Sequence, residues 1–225
     1  MIYTVKHKPF YTVAPLELPE GYKTICVGGY SEPDGINCTE GKNIENLNKK
    51  INELTALYWI WKNTKDPIVG LAHYRRFLLG SDGDILTIPG AKELLKTNDI
   101  ICHSFNLDYL TVKRNIIMMG LLGGQVAYDI VRGHLPDGYQ EAFAQVMESH
   151  HYYVCHLFVT KREILNEYCK WLFSFITDAA KDYRPRIGCD PQEIRAIGYI
   201  AEALLSVWAL KNGLKVASEP MRLIK

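Results

Sequence analysis

The sequence predicts an α/β protein with a mostly parallel central sheet flanked by helices. Short β-branched or apolar runs, punctuated by glycine and proline, alternate along the chain with longer stretches whose apolar residues recur every three or four positions. Strands that alternate with helices are joined by crossovers, and crossovers lay strands parallel. The composition agrees, because 48% of the 225 residues are apolar and 23% charged, the proportions of a chain that buries a core. The length and the absence of any linker or repeat predict one domain over residues 1–225.

Ile2 to Val5 and Thr24 to Val27 read as buried strands bounded by Pro9, Gly21, Gly28 and Gly29. From Asn48 the positions Ile51, Leu54, Thr55, Tyr58 and Trp59 mark one amphipathic helix, which stops at Asn63 before Pro67. Ile68 to Ala72 is a third strand, and its exit delivers His73, Tyr74, Arg75 and Arg76. Pro89 to Lys96 suits a short helix with proline in its first turn, and Asp99 to Ser104 returns to strand. Pro136 to Glu148 reads as helix, Tyr152 to Thr160 as strand, and Lys161 to Lys181 as one long helix. A second long helix runs from Pro191 to Asn212, with Gly213 placed to end it and Leu214 to Ala217 as a closing strand.

Lys and Arg number 26 against 25 Asp and Glu, a net charge of +1, so the surface lacks the basic excess of a nucleic-acid binder and no nucleic-acid partner is expected. No two of the six cysteines form a C-x-x-C pair. Met1 to Phe10 has no apolar core after Lys6 and Lys8, so a cytoplasmic location is expected. Ile116 to Ile130 is too short and too interrupted by Gly120, Gly123, Gly124 and Asp129 to span a bilayer. The basic pair Lys113-Arg114 ahead of Met118, Met119, Leu121 and Leu122 reads either as a core helix or as a segment lying at the inner face of an anionic membrane.

In an open parallel sheet, ligands lie beyond the carboxyl ends of the strands. That rule selects Lys6, His7 and Lys8, then His73, Tyr74, Arg75 and Arg76, then His103 and Ser104, and finally Cys155 and His156. These are cationic or hydrogen-bonding groups, so an anionic ligand is expected. A guanidinium offers two parallel donors to a phosphate, which makes a diphosphate the natural match for Arg75 or Arg76. On an extended segment the two point to opposite faces, so one arginine is expected in the crevice and the other in an ion pair. Asn43, in a Gly-flanked turn, either donates to the ligand or bonds its own backbone. Glu202 lies in an otherwise apolar run, where it is either paired with Arg195, Arg75 or Arg76 or held protonated as a base. Asp82-Gly83-Asp84 has the form of a site for a divalent cation such as Mg2+ or Mn2+, and equally the form of a turn. The histidines at 150, 151 and 156 cannot all face one way on a strand, so no metal ligand is assigned.

The blocks Ile2-Tyr3-Thr4-Val5-Lys6-His7-Lys8-Pro9-Phe10, Gly41-Lys42-Asn43-Ile44, Glu53-Leu54-Thr55-Ala56-Leu57-Tyr58-Trp59-Ile60-Trp61-Lys62-Asn63 and Gly70-Leu71-Ala72-His73-Tyr74-Arg75-Arg76-Phe77 resemble one family. It is the capsular and exopolysaccharide-synthesis domain long labelled as of unknown function (DUF4422-like), regarded as a GT-A type glycosyltransferase with some galactofuranosyltransferases among its members. The resemblance continues through Tyr168-Cys169-Lys170-Trp171-Leu172-Phe173 and Arg195-Ala196-Ile197-Gly198-Tyr199. It departs at Lys42 and Glu45, at Cys155-His156 and at Ala203. The resemblance implies a GT-A-like fold and transfer of a hexose, such as galactose or galactofuranose, from a nucleotide sugar, UDP-linked in most cases, to a growing surface polysaccharide or lipid-linked glycan. Lys6, His7, Asn43, His73, Tyr74, Arg75 and Arg76 then fall to the donor diphosphate, and Glu202 and His156 to deprotonation of the acceptor. The departures also admit a non-catalytic protein of the same fold that binds a nucleotide sugar or glycan.

Overall fold

The computed structural model describes residues 1–10 and 16–224. Its strands are β1 (Ile2–Lys6), β2 (Tyr22–Cys26), β3 (Ile36–Asn37), β4 (Ile68–His73), β5 (Arg76–Leu78), β6 (Ile100–Asn106), β7 (His151–Lys161), β8 (Val216–Ser218) and β9 (Met221–Leu223). They form one sheet in the order β3-β2-β1-β4-β7-β6-β8, with β5 turning off β4 to pair with β9. β1, β2, β3 and β4 are mutually parallel, and β6 and β8 are parallel to each other. β7 runs antiparallel between β4 and β6. The expected α/β class with a mostly parallel sheet is thus the observed one.

Alternation along the strands divides the core in two. Tyr3, Val5, Val69, Leu71, Ile100 and Cys102 face the larger helical layer, while Ile2, Ala72 and Ile101 face a smaller layer with Phe77, Leu86 and Leu95. Gly70 is where β1, β4 and β7 press closest: a Cβ there would lie 2.8 Å from Val159 Cγ2 and 2.9 Å from Ile2 Cγ1.

The three long helices expected from periodicity are each broken. The first divides into Asn48–Ile51 and Leu54–Asn63, because Asn52 adopts a left-handed φ of 48°. There its carbonyl accepts from Asn48 Nδ2 at 3.1 Å and Thr55 Oγ1 at 2.9 Å. The second divides into Arg162–Leu172 and Ile176–Asp182, with Phe173 stacked on Trp61 and Phe175 turned into the core. The third is a chain of Pro191–Ile194, Ala196–Glu202 and Leu204–Lys211. Gly213 closes it with φ 61°, and Leu214 N–H reaches back to the Ala209 carbonyl at 3.0 Å. Apolar periodicity survives such breaks, so it does not report them.

Candidate active site

β1 and β4 are parallel with Val5 opposite His73, so their exits deliver His7 and the His73–Arg76 segment to one edge of the sheet. β7, the antiparallel neighbour of β4, adds to this end through an irregularity. Tyr153 pairs with Ser104 and Phe158 with Cys102, so Val154 to Leu157 bulge against the single residue His103. Within the bulge Cys155 and His156 have φ of 62° and 47°, a left-handed pair of non-glycine residues that costs on the order of 1–3 kcal/mol each. The surrounding bonds offset that cost. The Cys155 carbonyl accepts from His73 Nε2 at 2.5 Å, and the Cys155 N–H donates to Glu202 Oε2 at 3.0 Å.

The same bulge drives the His156 ring inward, where it is 0% exposed. Its Nδ1–H donates to Glu53 Oε1 and its Nε2 accepts from the Tyr168 hydroxyl, both at 3.2 Å. Burial pushes the Tyr168 phenol well up, so it keeps the proton that it donates. Glu53, only 8% exposed, stands at the start of the Leu54–Asn63 helix, where the dipole favours a negative charge. Burial opposes that charge, but the His156 hydrogen bond and the neighbouring His73 and His156 outweigh it and hold the carboxyl below its usual range.

Glu202, at the end of the Ala196–Glu202 helix, behaves oppositely. Burial first and the Glu53 charge second push its carboxyl up to about 8, despite the Cys155 N–H and the charges of Arg76 and Arg195. It makes none of the ion pairs expected for it. At neutral pH this end of the sheet therefore holds one charged and one protonated carboxyl, the separation that assigns acid and base roles in a site.

Cations surround them. The Arg76 side chain has neither a hydrogen bond nor an ion pair among the described residues, yet its charge bears on His73, Cys155 and Glu202. Arg75 lies over the rings of Tyr74 at 5.4 Å and Phe10 at 6.0 Å, with its Nε buried and unpartnered. Among the described residues neither arginine is in the ion pair expected for one of them, although Glu202 is near enough to feel the Arg76 charge. Tyr74 is the buried post of this corner and takes His7 edge-on at 5.3 Å. Arg195 donates from Nε to Asn52 Oδ1 at 2.9 Å. Burial, then Lys8, Arg195, His73 and Arg75, pushes the His7 imidazole down; burial likewise pushes down His73.

Other sequence candidates lie apart from this convergence or are engaged elsewhere. Lys6 is bonded to Glu32 at 2.6 Å, and Asn43 stitches its own turn by donating to the Thr39 and Gly41 carbonyls at 3.0 Å. His103 Nδ1 bonds the Glu219 carbonyl at 3.0 Å. Asp82 Oδ1 accepts from Asp84 N–H at 3.0 Å, which makes the D-x-D triplet a self-closed turn. Among the described residues no three His, Cys, Asp or Glu side chains gather as metal ligands. Sequence reasoning did not assign Glu53, Asn52 or Arg195 to the site. Glu53 reads locally as an ordinary helix-start acid, and only the fold brings it to His156.

The DUF4422 family, described as a domain of unknown function, matches residues 1–213. Among solved structures the chain is similar to the apo WbbM bifunctional glycosyltransferase, with a TM-score of 0.80 and 25% identity. The match covers 100% of this chain and 45% of that one, so the chain spans just under half the length of WbbM. No curated protein matches the sequence.

Proposed function

The chain belongs to the DUF4422 family, and on that premise we propose that it is a glycosyltransferase that takes a hexose from a nucleotide sugar. The observation that carries the reading is the convergence of unpaired guanidinium groups with two carboxyls of opposed proton affinity at the exits of β1 and β4. The similarity to WbbM supports the reaction class.

In this reading Arg76 and Arg75 receive the diphosphate of a UDP-linked donor, assisted by Arg195 and by His7 on its Tyr74 post. Arg75 and Arg76, in no ion pair among the described residues, break none when a phosphate arrives, and they stabilise the charge that develops as it leaves. The protonated Glu202 removes a repulsion that a second buried carboxylate would impose on the donor. When the acceptor hydroxyl attacks the anomeric carbon, the bond from that carbon to the β-phosphate oxygen breaks. The new glycosidic bond forms, and the hydroxyl proton passes to the ionised fraction of Glu202. A base near 8 is about one-tenth ionised at pH 7 and strong enough to accept that proton. His156 is too buried to reach substrate, so its part is to position Glu53. Lys6 and Asn43 receive no role.

The hexose, with galactose and galactofuranose first, and the acceptor, a growing surface polysaccharide or lipid-linked glycan, belong to the same proposal. So does a reducing cytoplasmic setting, which suits six cysteines that are all free thiols. Purified protein incubated with a panel of UDP-hexoses and glycan acceptors tests it. Transfer or donor hydrolysis that disappears in Glu202→Gln is expected. Saturable UDP-sugar binding without turnover would instead leave a binding protein of the same fold, and no binding would end both readings.

A further inference from the structure

Helices Val112–Met119 and Gly124–His134 are joined through the short turn Leu121–Gly123. Only glycine permits the approach, since a Cβ on Gly120 would lie 2.8 Å from Gly124 Cα. Leu121 is held at φ 50°, in the left-handed region that disfavours leucine. The inner sides of both helices, with Val112, Ile116, Ala127 and Val131, are already buried. Met118 (57% exposed), Leu121, Leu122 (74%) and Val126 are therefore left in water with no core to join. A fifth apolar side chain stands beside them. Ile187 is fully exposed, next to Arg186, whose two bonds to Glu193 at 2.9 and 2.7 Å fix the loop. Glu193 Cγ in turn lies 2.6 Å from where a Gly123 Cβ would be, so the loop borders the turn.

Cations rim this patch. Arg114 is one helical turn ahead of Met118, Lys113 lies 5.0 Å from the Tyr128 ring, and Arg184 is exposed beside Pro185. None of the three is in an ion pair among the described residues, whereas the nearby Glu193 is neutralised by Arg186. Two copies of such a face would set arginines against arginines, which disfavours self-association. Apolar tips among unpaired cations match the headgroup boundary of an anionic bilayer, where the side chains enter the acyl edge and the cations meet lipid phosphate.

We propose that Met118, Leu121, Leu122, Val126 and Ile187, with Arg114 and Arg184, dock the protein on an anionic membrane surface. Gly120 also abuts Ala196, with a would-be Cβ 3.0 Å from the Ala196 Cβ, and Ala196 follows Arg195 of the proposed donor site. Docking thus turns the segment that carries Arg195 toward the lipid side of the molecule. That consequence for a lipid-linked acceptor rests on the proposed transferase reading, but the docking itself does not.

Flotation of the full chain with phosphatidylcholine vesicles, with and without phosphatidylglycerol, tests the surface. The wild type is expected to float with the anionic vesicles alone. Leu122→Glu combined with Ile187→Glu should weaken binding roughly tenfold or more. Arg114→Gln and Arg184→Gln should each weaken it about fivefold, and all variants should keep the wild-type melting temperature because the residues are exposed. Absence of flotation, or equal flotation of the Leu122/Ile187 variant, would overturn the proposal. So would a lipid-free dimer that Leu122→Glu dissociates. UDP-hexose turnover measured in parallel without lipid separates failure of docking from failure of the transferase reading.

Discussion

Glu53 accepts a hydrogen bond from the fully buried ring of His156 at 3.2 Å, and the negative charge retained there adds to burial in keeping the neighbouring Glu202 protonated. The two carboxyls act as a pair. One stays ionised through a buried partner, and the other is held neutral beside Cys155 and Arg76.

Glu202→Gln is expected to abolish transfer while leaving UDP binding within a few-fold of wild type, since glutamine keeps an acceptor for the Cys155 N–H. In the wild type kcat/KM should rise with pH and level off above about 8, as Glu202 ionises. A flat profile between pH 6 and pH 9 would remove Glu202 from the base role.

The same carboxyl makes stability depend on pH. Its affinity for the proton is higher folded than unfolded, so its contribution is complete below the usual carboxylate pKa and is lost as pH rises toward about 8. Thermal unfolding should show melting temperatures falling over that interval in the wild type and less so in Glu202→Gln.

Arg75→Ala and Arg76→Ala should differ. The Arg76 side chain has no hydrogen-bond or ion-pair partner among the described residues, so its loss is expected to weaken UDP binding about tenfold with little change in melting temperature. Arg75 also packs over Tyr74 and Phe10, so its loss should lower stability by about 0.5–1 kcal/mol as well. Calorimetric titration with UDP beside a denaturant melt separates the two. Equal and negligible effects on UDP binding would discard the diphosphate site.

His156→Ala should be destabilising by roughly 2–4 kcal/mol, through a cavity and through a Glu53 left buried without its donor. His156→Gln, which can restore a donor to Glu53, should recover part of that loss in urea unfolding and part of the activity. Failure of both to affect activity would show that Glu53 needs no positioning.

Gly198→Ala would place a methyl group against the Asn52 amide, which takes the Arg195 Nε at 2.9 Å. A lower melting temperature together with weaker UDP binding is expected, and unchanged UDP affinity would exclude Arg195 from the donor site.

Much of the site was legible locally. Ile68 to Ala72 is an apolar run that ends in His73-Tyr74-Arg75-Arg76, and the rule that ligands gather beyond strand ends ranks that tetrapeptide without coordinates. Lys6 shows the limit of the same rule, and Asn43 the limit of reading a Gly-flanked turn. Both have ligand-binding chemistry, but Asn43 is engaged by its own turn and Lys6 by Glu32, which comes from beyond β2. The helix breaks at Asn52, Phe173 and Ala203 were not legible because apolar spacing persists across them.

The sequence by itself determined the alternation of strand and helix and the gathering of basic groups at the exits of β1 and β4. These follow from burial periodicity and from which residue succeeds each apolar run, both properties of neighbouring positions. Only the tertiary structure decided that Cys155 and His156 leave the strand in a left-handed bulge, that Glu53 meets a histidine distant in sequence, and that Glu202 keeps its proton. Strand register and the removal of water from a carboxyl are set by residues far apart in the chain, and no local pattern records them.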